Sequence, residues 1–159
     1  MLLNRSLRAL ERAKNLSKHG VMMKIIMLGI LLSFASLKAY SETIIDVLAI
    51  VGKNKTEVST LIGAPSSCSQ SKHGEKCQFS KGETEIVFIK GKADWITIEA
   101  IDNVPFGQVA LETIGLKSLS PSFKNSFSMR WSELGGLYEV SLFKGEKNSD
   151  YAYIKAYTK

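Results

Sequence analysis

The chain has 159 residues, 45% of them hydrophobic and 23% charged, with two cysteines and a formal net charge of +6. That length accommodates one domain-sized core. The charge is uneven: residues 1–41 carry seven Lys/Arg against one acid, whereas residues 42–159 carry 14 Lys/Arg and 14 Asp/Glu. Nucleic-acid binding draws on a basic excess that neutralises phosphates, and residues 42–159 have none, so nucleic acid is not an expected partner.

The basic part has the layout of a targeting sequence. Lys24 precedes an apolar run at 25–37, followed by Lys38, Ala39, Tyr40 and Ser41. A positive residue, a short apolar stretch and small residues at a cleavage point make a secretory signal. The 13-residue run is short of the roughly 20 residues that span a bilayer, which leaves an uncleaved anchor as the lesser alternative. We therefore expect a signal over 23–41 and no stable membrane span after its removal. Residues 1–22 are expected to be an upstream extension starting before the true initiator, Met22 or Met23; a long basic flank or an organelle-targeting segment is the rival.

After residue 41 the pattern turns from helical to alternating. Residues 44–51 are apolar at seven of eight positions, which predicts a buried helical turn or two before Gly52. Asn54 can cap a second helix, with Glu57 completing a capping box. Val58, Leu61 and Ile62 fall on one helical stripe, Gly63 supplies the stop and Pro65 forbids continuation. Period-two segments follow: 67–71 and 76–79 around His73-Gly74, then 83–90 and 94–100 around Gly91, each a predicted hairpin. Pro105 opens a third helix with Phe106, Val109, Ala110 and Ile114 inward and Gly115 as its stop. A loop over 116–126 leads to strands at 127–131, 137–143 and 150–157, with Gly135-Gly136 as a bulge or turn between the first two. No internal repeat is visible. The expected fold is α+β: an antiparallel sheet of six or seven strands, with two N-terminal helices and one mid-chain helix on one face.

The 14-residue stretch 52–65, with Gly52, Glu57, Val58, Leu61, Gly63 and Pro65, resembles the helical signature of the SmpA/OmlA outer-membrane assembly lipoproteins and their β-lactamase inhibitory protein-like relatives. The resemblance implies helices packed on an antiparallel sheet. The chain departs from it in having no lipid-attachment cysteine near the cleavage point and no second Gly…Leu-Gly-x-Pro motif. The matched residues are structural, so no functional residue follows from them.

Cys68 and Cys77 both lie in the part expected to be exported, where an even pair reads as a disulfide worth about 2–3 kcal/mol. Cys68, His73 and Cys77 together would offer a metal only three ligands in one short loop, a poor structural zinc set. We expect no metal and no cofactor. A hydrolytic triad would have to use His73, which the pattern places in an exposed turn with no water-excluding pocket. The disulfide removes a cysteine nucleophile, the spacing is not Cys-x-x-Cys, and Glu83/Glu85 read as a solvated strand edge rather than an acid–base pair. Gly-x-Gly-x-x-Gly loops are absent.

What remains is surface. Alternation places Ala152, Ile154 and Ala156 on a packed face with Ile96, Ile98, Val140 and Leu142. It turns Trp95, Thr97, Glu99, Glu139, Ser141, Tyr151, Tyr153, Lys155 and Tyr157 outward, joined by Ser128 and Arg130 if Met129 is core. Trp95, Arg130, Glu139, Tyr151, Tyr153, Lys155 and Tyr157 are thus candidate partner-binding residues, since aromatics and Arg carry protein-binding hot spots. Ordinary cross-strand packing of one wet face is the competing explanation. The expected function is an exported, non-catalytic protein-binding module, an envelope-assembly accessory or an enzyme inhibitor. Its expected partner is another exported or envelope protein. A small-ligand or glycan binder, and then a thiol or hydrolytic enzyme, are the alternatives.

Overall fold

The computed structural model describes residues 42–158; the expected extension over 1–22 and signal over 23–41 lie outside the described residues. The first elements are two short helices, α1 (Val47–Ile50) and α2 (Lys55–Ile62). Asp46 caps α1 by accepting the Ala49 amide at 3.3 Å. At α2 the capping box forms as the sequence predicts, with Glu57 N–H donating to Asn54 Oδ1 at 3.0 Å and Asn54 N–H to Glu57 Oε2 at 2.8 Å. The Asn54 bond holds the Glu57 carboxyl below its ordinary range. Gly63 ends the helix at φ 94°, ψ 166°, a positive-φ extended conformation essentially confined to glycine. Val58 is fully buried and Ile62 partly so, but Leu61 stays 48% exposed, a correction to the predicted stripe.

Four strands follow: β1 (Ser67–Gln70), β2 (Glu75–Phe79), β3 (Thr84–Ile89) and β4 (Lys92–Ile98). Then come α3 (Ala110–Thr113), β5 (Phe123–Lys124), β6 (Ser128–Ser132), β7 (Glu139–Lys144) and β8 (Ser149–Lys155). All eight strands join one antiparallel sheet in the order β1-β2-β3-β4-β8-β7-β6-β5. It consists of two four-stranded meanders joined through β4 and β8. Two helices precede the first meander and one precedes the second.

The fold class agrees with expectation, and three details differ. There are eight strands, because the region predicted as a loop over 116–126 contains β5. Asn125 makes that hairpin: its Oδ1 accepts from the Phe127 and Ser128 amides at 2.8 and 2.7 Å, a local side-chain turn. Phe127, predicted to begin a strand, stands outside β6 and is 75% exposed. The third helix is a single turn that starts at Ala110, so Val109 is exposed rather than inward.

One apolar cluster holds these elements together. Ile86, Ile96, Ile98, Val140, Leu142, Ala152 and Ile154 from the sheet meet Val47, Ile50, Val58 and Leu111 from the helices. Trp131 joins them, its indole N–H satisfied by the Leu119 carbonyl at 2.8 Å. Burial of this apolar area is the main source of stability.

Candidate functional site

Alternation along the strands gives the sheet a second face, opposite the cluster, and the register assembles it into two rows. One runs Lys76, Val87, Trp95, Lys155, Glu139, Ser132 across β2, β3, β4, β8, β7 and β6. The other runs Gln78, Glu85, Thr97, Tyr153, Ser141, Arg130, Phe123, reaching β5. Five of the seven candidate residues therefore sit in these rows: Trp95, Lys155 and Glu139 in the first, Tyr153 and Arg130 in the second. Tyr151 adjoins them, its ring stacked on Phe143 at 4.5 Å.

Tyr157 does not join. β8 ends at Lys155, and the Tyr157 hydroxyl lies against Gly52, where an added Cβ would stand 2.9 Å from it. The chain turns away because Asp94 holds it. This 4%-exposed carboxylate accepts from the Tyr157 and Thr158 amides at 2.9 and 3.2 Å and from Thr158 Oγ1 at 2.9 Å. Asp94 can reach them because the β3–β4 register shifts between Val87 and Phe88, leaving it unpaired with β3. Ser141 also departs from expectation: it lies on the outer side but is buried at 3%, between Tyr153 and Arg130 in the row.

Several polar residues of the face pair with one another. Arg130 Nε lies 3.5 Å from Glu139 Oε2, and its guanidinium stands 5.8 Å from the Phe123 ring centroid. Ser141 Oγ donates to Glu139 Oε1 at 3.2 Å. Lys76 Nζ lies 2.9 Å from Glu85 Oε2, which also accepts from Gln78 Nε2 at 2.7 Å. Tyr153 sits among these charges; burial, then the negative charges of Glu139, Asp94 and Glu85, hold its hydroxyl above the ordinary tyrosine range.

His73 lies in the exposed β1–β2 turn, as expected, but it makes a contact that sequence reasoning did not foresee. It is exposed, yet its ring packs on Trp95 at 4.4 Å between centroids, so the β1–β2 tip contributes to the face. In the same tip Gly74, at φ +149°, lets the chain approach the Phe88 carbonyl, where any Cβ would lie 2.2 Å away. Phe143 was missed as well, though the Glu139, Ser141, Phe143 alternation points to it. Phe123 had no such signal. Trp95 is pinned on a second side, its indole N–H donating to the Thr158 carbonyl at 3.3 Å.

Cys68 and Cys77 are bonded to each other across β1 and β2, with a Cα–Cα distance of 4.1 Å. Glu75 lies close to both sulfurs, but they are consumed by the disulfide and His73 is held at Trp95, so neither grouping offers a metal a set of thiolate ligands. Two clefts border the face: about 540 Å³ lined by Glu83, Glu99, Asp102, Asp150 and Tyr151, and about 410 Å³ lined by Glu133, Tyr138 and Tyr157. No described helix is long and apolar enough to cross a membrane.

No protein family, curated protein or solved structure matches this chain.

Proposed function

We propose that this chain is an exported, non-catalytic binding module that engages another exported or envelope protein through the open face of its sheet. The observation that carries this reading is the pair of register-aligned rows that gather Trp95, Tyr153, Lys155, Glu139 and Arg130 on one surface. Half-exposed aromatics beside an Arg are the composition of protein-binding hot spots. Prior pairing of Arg130 with Glu139 and of Lys76 with Glu85 lowers the ordering cost of docking. The disulfide supports export, because such bonds persist in oxidising compartments. The resemblance drawn on 52–65 would make the role that of an assembly accessory or an inhibitor.

Tyr153 is the decisive position, since it lies mid-face and no hydrogen bond ties it to the core. Replacing Tyr153 by Ala is expected to abolish partner capture in a pull-down of exported proteins while moving the thermal midpoint by only a few degrees. Trp95→Ala is a poorer probe, because it also frees Thr158 and His73. Capture that survives Tyr153→Ala would overturn the reading. A small-ligand or glycan role would draw on the cleft beside Tyr151; uptake lost in Tyr151→Ala and retained in Tyr153→Ala would mark it.

A further inference from the structure

The two edges of the sheet are not alike. At one edge β5 is two residues long and ends in Lys124, the kind of short, charged strand that discourages further pairing. At the other edge β1 is four residues long, exposed throughout and uncharged. It carries none of the protections found on natural edges: no proline, no lysine, no bulge. The disulfide to β2 also keeps it extended.

Its backbone direction follows from two observations. Ser71 and Gly74 exchange both amide hydrogen bonds, at 2.9 and 3.4 Å. Alternation then makes Ser69 and Ser67 hydrogen-bonded partners of β2, and makes Cys68 and Gln70 non-bonded ones. The 4.1 Å Cα separation at Cys68–Cys77 is that of a non-bonded pair. The N–H and C=O of Cys68 and Gln70 therefore point away from the sheet, and no described residue pairs with them.

We propose that β1 is a self-association edge, pairing antiparallel with β1 of a second copy about a twofold axis through Ser69. The geometry is self-complementary. Cys68 of each copy meets Gln70 of the other, and the two outward peptide groups on each strand form four interchain hydrogen bonds. Ser69 faces Ser69, Ser67 faces Ser71, and no like charges are opposed. The two eight-stranded sheets become one continuous sheet whose open faces lie side by side. A strand from an unrelated protein would satisfy the same backbone groups, but only a second copy places the donors and acceptors in register by symmetry.

The test is sedimentation equilibrium of the purified full chain and four variants. The unaltered chain is expected to show a monomer–dimer equilibrium. Gln70→Pro removes one outward N–H per strand, hence two of the four bonds, without touching the ladder to β2, and is expected to weaken self-association at least about tenfold. Ser69→Lys and Ser69→Glu each place like charges at the twofold and are expected to be monomeric alone. Mixed one to one, they are expected to recover the dimer as a heterodimer. Ser128→Lys, on β6 far from this edge, is expected to dimerise like the unaltered chain. A chain that stays monomeric up to sub-millimolar concentration would overturn the proposal. So would a dimer indifferent to Gln70→Pro, or a Lys/Glu mixture that stays monomeric while each variant melts like the unaltered chain. Because Tyr153 is not at this edge, loss of the dimer and loss of partner capture are separate results.

Discussion

Asp94 shows how one buried charge can shape a surface. Its carboxylate collects three donors from Tyr157 and Thr158, and the Thr158 carbonyl in turn receives the Trp95 indole N–H. Hydrogen bonds to a charged group contribute more than neutral ones, and a buried group that loses its partners is costly. Asp94→Ala is therefore expected to lower unfolding stability by about 2 kcal/mol, measured by urea denaturation. Tryptophan fluorescence should shift to the red in the same variant, because Trp95 loses its anchor. Unchanged fluorescence would separate Asp94 from the face. Tyr153 makes a second prediction at this scale. Its hydroxyl is held above the ordinary tyrosine range, first by burial and then by the charges of Glu139, Asp94 and Glu85. The folded state thus keeps the proton more tightly than the unfolded chain. The resulting stability is complete below the unfolded value of about 10 and disappears as pH rises through the higher folded value. Urea midpoints measured across that alkaline window should fall less steeply for Tyr153→Phe than for the unaltered chain.

At the scale of elements, the first two helices and the central strands were legible because their signals are local. Asn54 and Glu57 form a capping box in any chain that places them before an apolar stripe, and period-two alternation fixed the inward set from Ile96 to Ile154. The missed parts are set by pairing or by single-residue geometry. β5 exists because Asn125 turns the chain onto β6, and no periodicity can be read from two residues. His73 meets Trp95 in a tip where Gly74 passes close to the Phe88 backbone. That close approach is testable. Gly74→Ala would put a Cβ 2.2 Å from the Phe88 carbonyl at a φ that side chains rarely adopt. It should open the β1–β2 tip and withdraw His73 from Trp95, leaving the far side of the sheet intact. The expected readout is altered tryptophan fluorescence and amide-exchange protection lost at β1 and β2 but retained at β6 and β7. Uniform loss of protection would mean that the tip is part of the folding core rather than an appendage.

At the scale of the whole molecule, charge is unevenly distributed along the chain. The excess of +6 lies wholly in residues 1–41, and the part carrying the sheet is balanced at 14 against 14. The balance is local as well: on the open face Lys76 meets Glu85 and Arg130 meets Glu139, so a partner docking there would meet little uncompensated charge. Long-range steering scales with net charge and is weakened by salt. A neutral module that docks through aromatics should capture its partner with little dependence on ionic strength, whereas capture by the untrimmed chain's basic segment should collapse as salt is raised. The exported form is accordingly expected to begin after residue 41 by intact mass, to focus near neutrality, and to hold its partner from low to about 0.5 M salt, where the Debye length has shrunk to a few ångströms. Salt-sensitive capture by a trimmed chain would place the binding energy in charge pairs and remove Tyr153 and Trp95 from its centre. An untrimmed chain with both thiols free in a reducing compartment would remove the premise of export, because the disulfide that fixes β1 to β2 would then have no setting in which to form.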